Sequence, residues 1–377
     1  MRIAFRRHRA VRLAAAVQVF VLTLAGVVLT TGSPAAALGV AGSIVTQTTV
    51  AIPAEYTPLA TAKKITYVTT TPAGVAVVTS GLVFTPKSNK KNKTVVWAHG
   101  TTGLADKCAP STDKTYFWPE ARDAVAELVK RGWTVAAPDY TGLGTAGDHP
   151  YLIGLSEARA IIDSAKAARN LDSALGTQYQ IDGHSQGGQG ALFANQIAPA
   201  YDGALVLKGT AAIAPASNLD LIAPAIPGTP GQGYLVMALY GIKAIEPTFN
   251  PNAYLAPAAK SKTSVATSSG CLYEILAAYA GLTDVQLVPN GVVSQVVLDK
   301  LAQYGNPAAS APSVPILIVQ GTADDAVPYS ITADVLVPEL ETYSQPVTFV
   351  ELDGVDHDQA VVQSVGTVAD WIQSNFA

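Results

Sequence analysis

One serine of this sequence stands in a setting that favours nucleophilic chemistry. The run Gly183-His-Ser-Gln-Gly187 has the pattern G-x-S-x-G, with a strand-like segment before it (178–182) and a helix-like segment after it (189–197). A strand, a tight turn and a helix in this order form a nucleophile elbow, in which glycine leaves room beside an exposed hydroxyl. Backbone N–H groups at the helix start also favour negative charge there. We therefore predict that Ser185 is a nucleophile.

A serine nucleophile needs a general base, and the positions of the histidines favour one of them. His8 lies in the basic N-terminal segment, and His184 adjoins the serine in a turn where neighbouring side chains point apart. His99 follows an early strand, where we expect it to hold its loop by hydrogen bonding, and His149 lies in a later loop. His357 follows the last predicted strand, which is the place of the base in the chain order Ser, acid, His. We predict that His357 is the base.

The acid that orients this base is predicted at the end of a buried strand. Asp324 lies in the pattern G-x-x-D-x-x-V-P, whose spacing matches the usual acid turn of such a triad. Asp325 is the immediate rival. Three further carboxylates near His357 are interpreted as acids of a surface loop: Asp353, Asp356 and Asp358.

An acyl-transfer reaction also needs two N–H groups directed at the developing oxyanion. Gln186 follows the nucleophile, so its main-chain N–H is the first predicted donor. The second should come from the loop after strand 94–98, where Gly100 permits a tight turn. Thr101 is the predicted donor in this loop, and Thr102 is the alternative.

The elements that would position these residues alternate between short apolar runs and amphipathic helices. Alternation of this kind indicates a mostly parallel sheet with helices on both faces, an α/β fold. The strand-like runs are 75–84, 94–98, 134–138, 178–182, 205–213, 314–319 and 347–352. The helix-like runs are 119–131, 156–171, 189–197 and 361–376.

A stretch rich in Pro, Gly and Ala interrupts this rhythm. Residues 217–312 contain helix-like pieces but no clear strand, so we predict a helical cap inserted into a core formed by residues 38–216 and 313–377. The insertion should lie above the elbow, where ligands bind in open α/β sheets. A helical excursion without a role in substrate binding is the alternative.

The first 37 residues have the pattern of a cleavable signal peptide. Five arginines precede an apolar run from Leu13 to Leu29, and Ala35-Ala-Ala37 fits a cleavage site, so we expect a secreted protein beginning near Leu38. An uncleaved anchor and a twin-arginine signal at Arg6-Arg7 are alternatives. Cleavage removes five of 24 basic residues and none of 28 acidic ones, which changes the net charge from −4 to −9. Nucleic acid and anionic membrane surfaces are therefore poor partners.

Cysteine usage is sparse. Cys108 and Cys271 are the two cysteines of the chain, and two cysteines in a secreted protein predict one disulfide. No Cys/His spacing typical of zinc is present, so we expect no structural metal.

These motifs together resemble the secretory lipase family of α/β hydrolases with a helical lid. The resemblance rests on His99-Gly-Thr-Thr-Gly103, Cys108-Ala-Pro-Ser111, Pro138-Asp-Tyr-Thr-Gly-Leu-Gly144 and Gly183-His-Ser-Gln-Gly-Gly188, and it is weakest across 217–312. It implies the α/β-hydrolase fold, hydrolysis of carboxylic esters such as acylglycerols, and no cofactor. Carried onto this sequence, it implies a triad of Ser185, Asp324 and His357.

The sequence therefore predicts a secreted serine esterase or lipase that acts on ester or lipid substrates, with no stable membrane span after signal cleavage. Three alternatives remain open at this stage. They are an acyltransferase that passes the acyl group to another alcohol, a non-catalytic binding protein on a hydrolase scaffold, and a peptidase.

Overall fold

A computed structural model describes residues 38–54, 56–112 and 114–376, with the side chains of 114–120 excepted. The predicted signal peptide, residues 1–37, lies outside the described residues. In the described part the sheet has nine strands. They are β1 (Ile44–Val50), β2 (Ala60–Thr70), β3 (Ala76–Pro86), β4 (Thr94–Ala98), β5 (Thr134–Pro138), β6 (Gln178–His184), β7 (Val206–Ile213), β8 (Ile316–Gly321) and β9 (Val347–Leu352).

The sheet is antiparallel at one edge and parallel through the rest. Its order is β1-β2-β3-β5-β4-β6-β7-β8-β9, and pairing is parallel from β5 to β9. The β1, β2 and β3 strands form an antiparallel meander that joins β5 through β3. The predicted mostly parallel sheet is thus confirmed, and the carboxyl ends of its parallel strands lie at one edge.

Helices cover both faces of the sheet. The described α-helices of the core are α1 (Lys114–Lys130), α2 (Gly154–Leu171) and α3 (Gln186–Tyr201) before the insertion. Successive side chains of β4 point to opposite faces of the sheet. Trp97 packs with α1 and the C-terminal helix, whereas Val96 packs with α2 and α3. Apolar burial on both faces explains why the central strands are almost wholly hydrophobic.

The segment between β7 and β8 contains helices joined by turns, and no strand is described within it. It contains α4 (Leu219–Ile222), α5 (Gln232–Ile245), α6 (Pro257–Lys260), α7 (Leu272–Tyr279), α8 (Asp284–Leu287) and α9 (Gln295–Gly305). Its apolar side chains, among them Leu235, Leu239 and Ile275, are buried in one cluster with Leu104 and residues 151–153 of the core. From Leu38 onward the insertion and the sheet form one compact unit. A role of the insertion as a cap or lid stays a prediction.

The chain closes with α10 (Tyr329–Ile331), α11 (Val337–Glu341) and α12 (Gln359–Asn375). Several predicted bounds differ from the structure. Helix α1 begins at Lys114 rather than Pro119, and α3 begins at Gln186 rather than Gln189. Strands β1 and β2 had no counterpart in the sequence-based prediction. Among the described helices, none combines the length and apolar character needed to span a bilayer.

Candidate active site

The predicted nucleophile occupies the turn between β6 and α3. Ser185 has φ 54° and ψ −116°, a backbone conformation that non-glycine residues rarely adopt. The flanking glycines explain how the turn is built. A Cβ at Gly183 would collide with the carbonyl of Gly187, and one at Gly187 would collide with the carbonyl of Ala98. The strain at Ser185, typically about 1–3 kcal/mol, is therefore held by a tightly packed turn.

The loop after β4 lies beside this elbow. Ala98 is paired with Gly183 in the parallel ladder, so the segments that follow the two strands start side by side. Thr101 lines the same pocket as Ser185, and its Oγ1 lies 2.8 Å from the Tyr151 hydroxyl. Gln186 is the first residue of α3, where helix geometry leaves the main-chain N–H without an intrahelical partner. Both predicted oxyanion donors therefore border the serine.

The predicted acid and base are directly bonded. Nδ1 of His357 donates to Oδ2 of Asp324 over 2.8 Å, and the Asp324 side chain is fully buried. Its other oxygen accepts the main-chain N–H groups of Ala326 and Val327 at 2.9 and 2.8 Å. Burial raises the pKa of Asp324, but the hydrogen bonds from His357 and the two amides outweigh it, so the pKa lies below its ordinary value. The rival Asp325 is exposed at the pocket wall.

His184, which sequence reasoning excluded as a base, contacts the predicted base, His357, from its position beside Ser185. Its Nε2 donates to the carbonyl of His357 over 3.2 Å, and the two rings lie 4.6 Å apart. The residue before the nucleophile thus contacts the backbone of His357. His184, His357 and Asp358 also form a group whose ligand atoms lie within 4.8 Å of one another. Both imidazoles in that group already donate to oxygen acceptors.

The other two histidines of the described part stabilise loops, as expected for His99. Nδ1 of His99 donates to the carbonyl of Gly100 over 2.6 Å, and its ring stacks on Tyr140 with centroids 4.4 Å apart. This contact fixes the turn that carries Thr101. Thr102, the alternative donor, uses its carbonyl to accept the main-chain N–H of Leu272 at 2.8 Å. That bond joins the loop to the insertion.

A disulfide strengthens this junction. Cys108 and Cys271 are bonded to each other, which confirms the predicted pairing. Cys108 ends a short 3-10 turn after β4, and Cys271 precedes α7 of the insertion. Gly103 packs closely against both cysteines. A Cβ at this position would lie 3.0 Å from Sγ of Cys108 and 3.1 Å from Cα of Cys271. The loop that carries Thr101 is thus covalently tied to the insertion.

The serine opens into an apolar pocket of about 330 Å³. Insertion residues supply most of its wall, and the loop after β8 closes one side with Val327 and Pro328. The insertion residues that line it are Leu219, Ile222, Ala223, Ala225, Ile226, Thr229, Pro230, Gly231, Tyr234, Leu235, Ala238 and Leu301. Aliphatic walls around a single nucleophile suit a hydrocarbon chain better than a charged group.

Sequence reasoning missed two polar residues behind the elbow. Glu157 of α2 and His149 both accept hydrogen bonds from the side-chain amide of Gln186, over 2.8 and 3.0 Å. All three residues are buried. The one available signal was a carboxylate placed beside Ala158 and Ile161, on the apolar face of a predicted helix.

The fold and the site together define an α/β hydrolase. They combine a mostly parallel sheet, a serine at a strand-turn-helix elbow, and an acid–imidazole pair in the loops after β8 and β9. The sequence profile of the family described as "Secretory lipase" matches residues 120–377. The chain belongs to this family and is accordingly a carboxylic ester hydrolase.

Relatives and solved structures agree with this membership. The chain is 26% identical to a secreted triacylglycerol lipase, LIP7, of Malassezia globosa over 324 residues, which are 80% of this chain and 68% of that protein. It is 23% identical to Lipase 10 of Candida albicans, over 67% of this chain and 57% of that one.

The structural matches establish the fold. Candida antarctica lipase A in its closed state superposes with a TM-score of 0.74 at 19% identity, over 89% of this chain and 82% of that one. The rice cell wall degrading esterase LipA from Xanthomonas oryzae gives 0.72 at 18% identity, over 89% and 99%. The predicted α/β-hydrolase fold is confirmed.

Proposed function

We propose that the protein is a secreted serine lipase or esterase whose triad is Ser185, His357 and Asp324. The observation that carries the proposal is the hydrogen bond from Nδ1 of His357 to Asp324, made beside the elbow serine. With Nδ1 bound to the acid, Nε2 is the imidazole nitrogen that can take a proton from a hydroxyl. The low pKa of Asp324 keeps the acid ionised, which stabilises the imidazolium formed during reaction.

The reaction proceeds through an acyl-enzyme. Oγ of Ser185 attacks the ester carbonyl carbon while Nε2 of His357 accepts the hydroxyl proton, and the main-chain N–H groups of Thr101 and Gln186 bind the oxyanion. The tetrahedral intermediate then collapses, and His357 gives its proton to the departing alcohol. Water attacks the acyl-serine with His357 again as base, and the carboxylic acid leaves as Ser185 regains its proton.

The substrate we propose is an ester of an aliphatic acid, of which acylglycerols are the class named by the triacylglycerol lipase relative. The apolar pocket supports this choice, because its wall offers surface to an acyl chain and no charged partner beyond Asp325 at the rim. Secretion is proposed from the signal-peptide pattern of residues 1–37 and from the secreted relatives. The insertion above the pocket would act as a lid that keeps water from the reacting centre.

The mechanism is tested with a fluorophosphonate and a substrate panel. We expect one equivalent of label on Ser185, and a fall in kcat of about 10⁴-fold or more for Ser185→Ala. Ser330→Ala, which changes an exposed serine, should retain both labelling and activity. Persistent ester hydrolysis by Ser185→Ala contradicts the mechanism.

The alternatives are separated by product analysis. Wild-type protein is given p-nitrophenyl esters from acetate to palmitate, emulsified triglycerides and a peptide substrate, with and without glycerol as a competing acceptor. Free carboxylic acid as the main product supports a hydrolase, whereas transfer to glycerol at low acceptor concentration supports an acyltransferase. A folded protein without turnover on any ester supports a binding protein.

A further inference from the structure

A buried polar cluster lies at the start of α3, next to the elbow, and its residues do not line the pocket of Ser185. The side-chain nitrogen of Gln186 uses both of its hydrogens. One is donated to Oε1 of Glu157 over 2.8 Å, and the other to Nε2 of His149 over 3.0 Å. The three residues are exposed by 1%, 1% and 2% of their surface, so water does not compete for these bonds.

The two acceptors are themselves held by the loop that leads into α2. Nδ1 of His149 donates to the carbonyl of Thr141 over 2.8 Å, which leaves Nε2 as the acceptor of the neutral ring. Oε1 of Glu157 also accepts the main-chain N–H of Leu152 at 3.0 Å. Four hydrogen bonds therefore join loop 141–152 to helix α2 and to the first residue of α3. They all involve Gln186, Glu157 or His149.

The packing of α2 on α3 leaves space for this cluster. Gly190 faces Glu157, and a Cβ at Gly190 would lie 3.0 Å from Cβ of Glu157 and 3.2 Å from its Oε2. A larger residue at Gly190 would push the two helices apart. The run Gly187-Gly-Gln-Gly190 thus serves both the elbow and the approach of the carboxyl group to Gln186.

We infer that Glu157 and His149 are positioning residues, which anchor the side chain of Gln186 so that its main-chain N–H stays aimed at the oxyanion. This inference rests on the proposed function, because it assigns a means of support to one of the two oxyanion donors. Gln186 follows the strained Ser185, and its side chain is held by two hydrogen bonds. Its main-chain N–H therefore cannot turn away without breaking those bonds. Glu157 and His149 do not line the pocket of Ser185 and have no place in the proton relay.

The ionisation of Glu157 should make kcat depend on pH. Burial raises the pKa of Glu157 to about 8, against the opposing hydrogen bonds from Gln186 and Leu152. The acid is therefore neutral below about pH 8 and ionised above it. An ionised Glu157 behind the oxyanion hole would oppose the negative charge of the intermediate, so kcat should fall as the pH rises through 8.

Other titratable groups around Glu157 do not change charge in that range. Burial lowers the pKa of His149 to about 4, so that its ring stays neutral. Tyr140 and Tyr151 also face the carboxyl group, and burial raises the pKa of each phenol well above its ordinary value. Of these four groups, Glu157 alone titrates between about pH 5 and 10.

The experiment compares Glu157→Gln with Glu157→Leu on a soluble p-nitrophenyl ester between pH 6 and 10. Glu157→Gln keeps an oxygen acceptor for Gln186 and Leu152, so kcat at pH 7 should stay within about threefold of wild type and should not fall above pH 8. Glu157→Leu removes the acceptor, so kcat should fall about tenfold to a hundredfold while KM stays within about twofold, because the pocket is unchanged. His149→Leu should have the same effect as Glu157→Leu.

Fluorophosphonate titration of each variant distinguishes a failure of the proposed triad from a failure of the positioning role. Absence of label on Ser185 in the wild type overturns the proposed function itself. Full labelling with a kcat of Glu157→Leu equal to wild type, or with an unchanged alkaline fall in Glu157→Gln, overturns the positioning role alone. If Glu157→Leu does not fold, the pH profile of Glu157→Gln decides the question.

Discussion

Asp324 and His357, 33 residues apart in the sequence, are joined by a 2.8 Å hydrogen bond from Nδ1 to Oδ2. Each follows one of two neighbouring parallel strands, since β8 and β9 pair in register with Gly321 opposite Leu352. Because both strands end at the same edge of the sheet, the loops that follow them meet there. The pairing of β8 with β9 therefore sets the distance between the predicted acid and the predicted base.

Replacing the acid tests its assignment against its neighbour. Asp324→Asn should lower kcat by about three to four orders of magnitude, because an amide cannot stabilise the imidazolium or fix its tautomer. Asp325→Asn should leave kcat within about threefold, since its exposed carboxyl group makes no bond to His357 among the described residues. Steady-state kinetics on one soluble ester measure both. The reverse result would transfer the role of the acid to Asp325.

Acyl-chain selectivity should depend on the insertion wall of the pocket. Ala238 of α5 is 4% exposed and lines the pocket, so Ala238→Leu places three further carbons in the space open to an acyl chain. We expect kcat/KM for laurate and palmitate esters to fall about tenfold relative to acetate, with acetate little changed. Ala277→Leu makes the same change at an exposed position of α7 and should preserve the wild-type profile. Equal losses on all chain lengths would argue against an acyl site here.

Stability should depend on pH through Asp182, a buried carboxyl group in β6. Burial raises its pKa to about 7, whereas an unfolded chain has an Asp pKa of about 3.9. The folded state then binds the proton more tightly, so the contribution of Asp182 to the free energy of unfolding is largest below about pH 4, falls as the pH rises to 7, and levels off above it.

The substitution Asp182→Asn should reduce the fall of stability with pH by the contribution of Asp182, while Glu157 and Asp163, whose pKa values are also raised by burial, keep theirs. At pH 8 we expect its unfolding temperature to exceed that of the wild type by a few degrees, because no charge is then buried. At pH 4 the two proteins should unfold at similar temperatures. Asp299→Asn, at an exposed position of α9, should not change the slope. Thermal unfolding followed by circular dichroism from pH 4 to 8 gives the comparison.

The local signals in the sequence indicated the elbow and the sheet well. Strands β4, β5 and β9 have the predicted bounds, because short apolar runs between helices have few other interpretations. The elbow is equally local, since its glycines and serine are contiguous. Candidate roles for Asp324 and His357 followed from chain order, which a parallel sheet converts into proximity.

Other features left no such local signal. Strand β1 is exposed along most of its length, so it lacks the alternation of apolar and polar residues that marks a half-buried strand. In β2 the pair Lys63-Lys64 interrupts the apolar pattern. The bond between Glu157 and Gln186 spans 29 residues and depends on how closely α2 approaches α3. Packing distance of this kind is a tertiary property, and neither periodicity nor composition encodes it.

The bond between Cys108 and Cys271 limits how the active site can be uncovered. Because of this bond, the start of α7 cannot move far without also moving the segment that carries Thr101. A hinged swing of the whole 217–312 stretch would therefore displace the loop of Thr101, the predicted oxyanion donor. We therefore expect access for a bulky ester through movement of the pocket-lining residues between 219 and 238, none of which is covalently linked to the loop that carries Thr101.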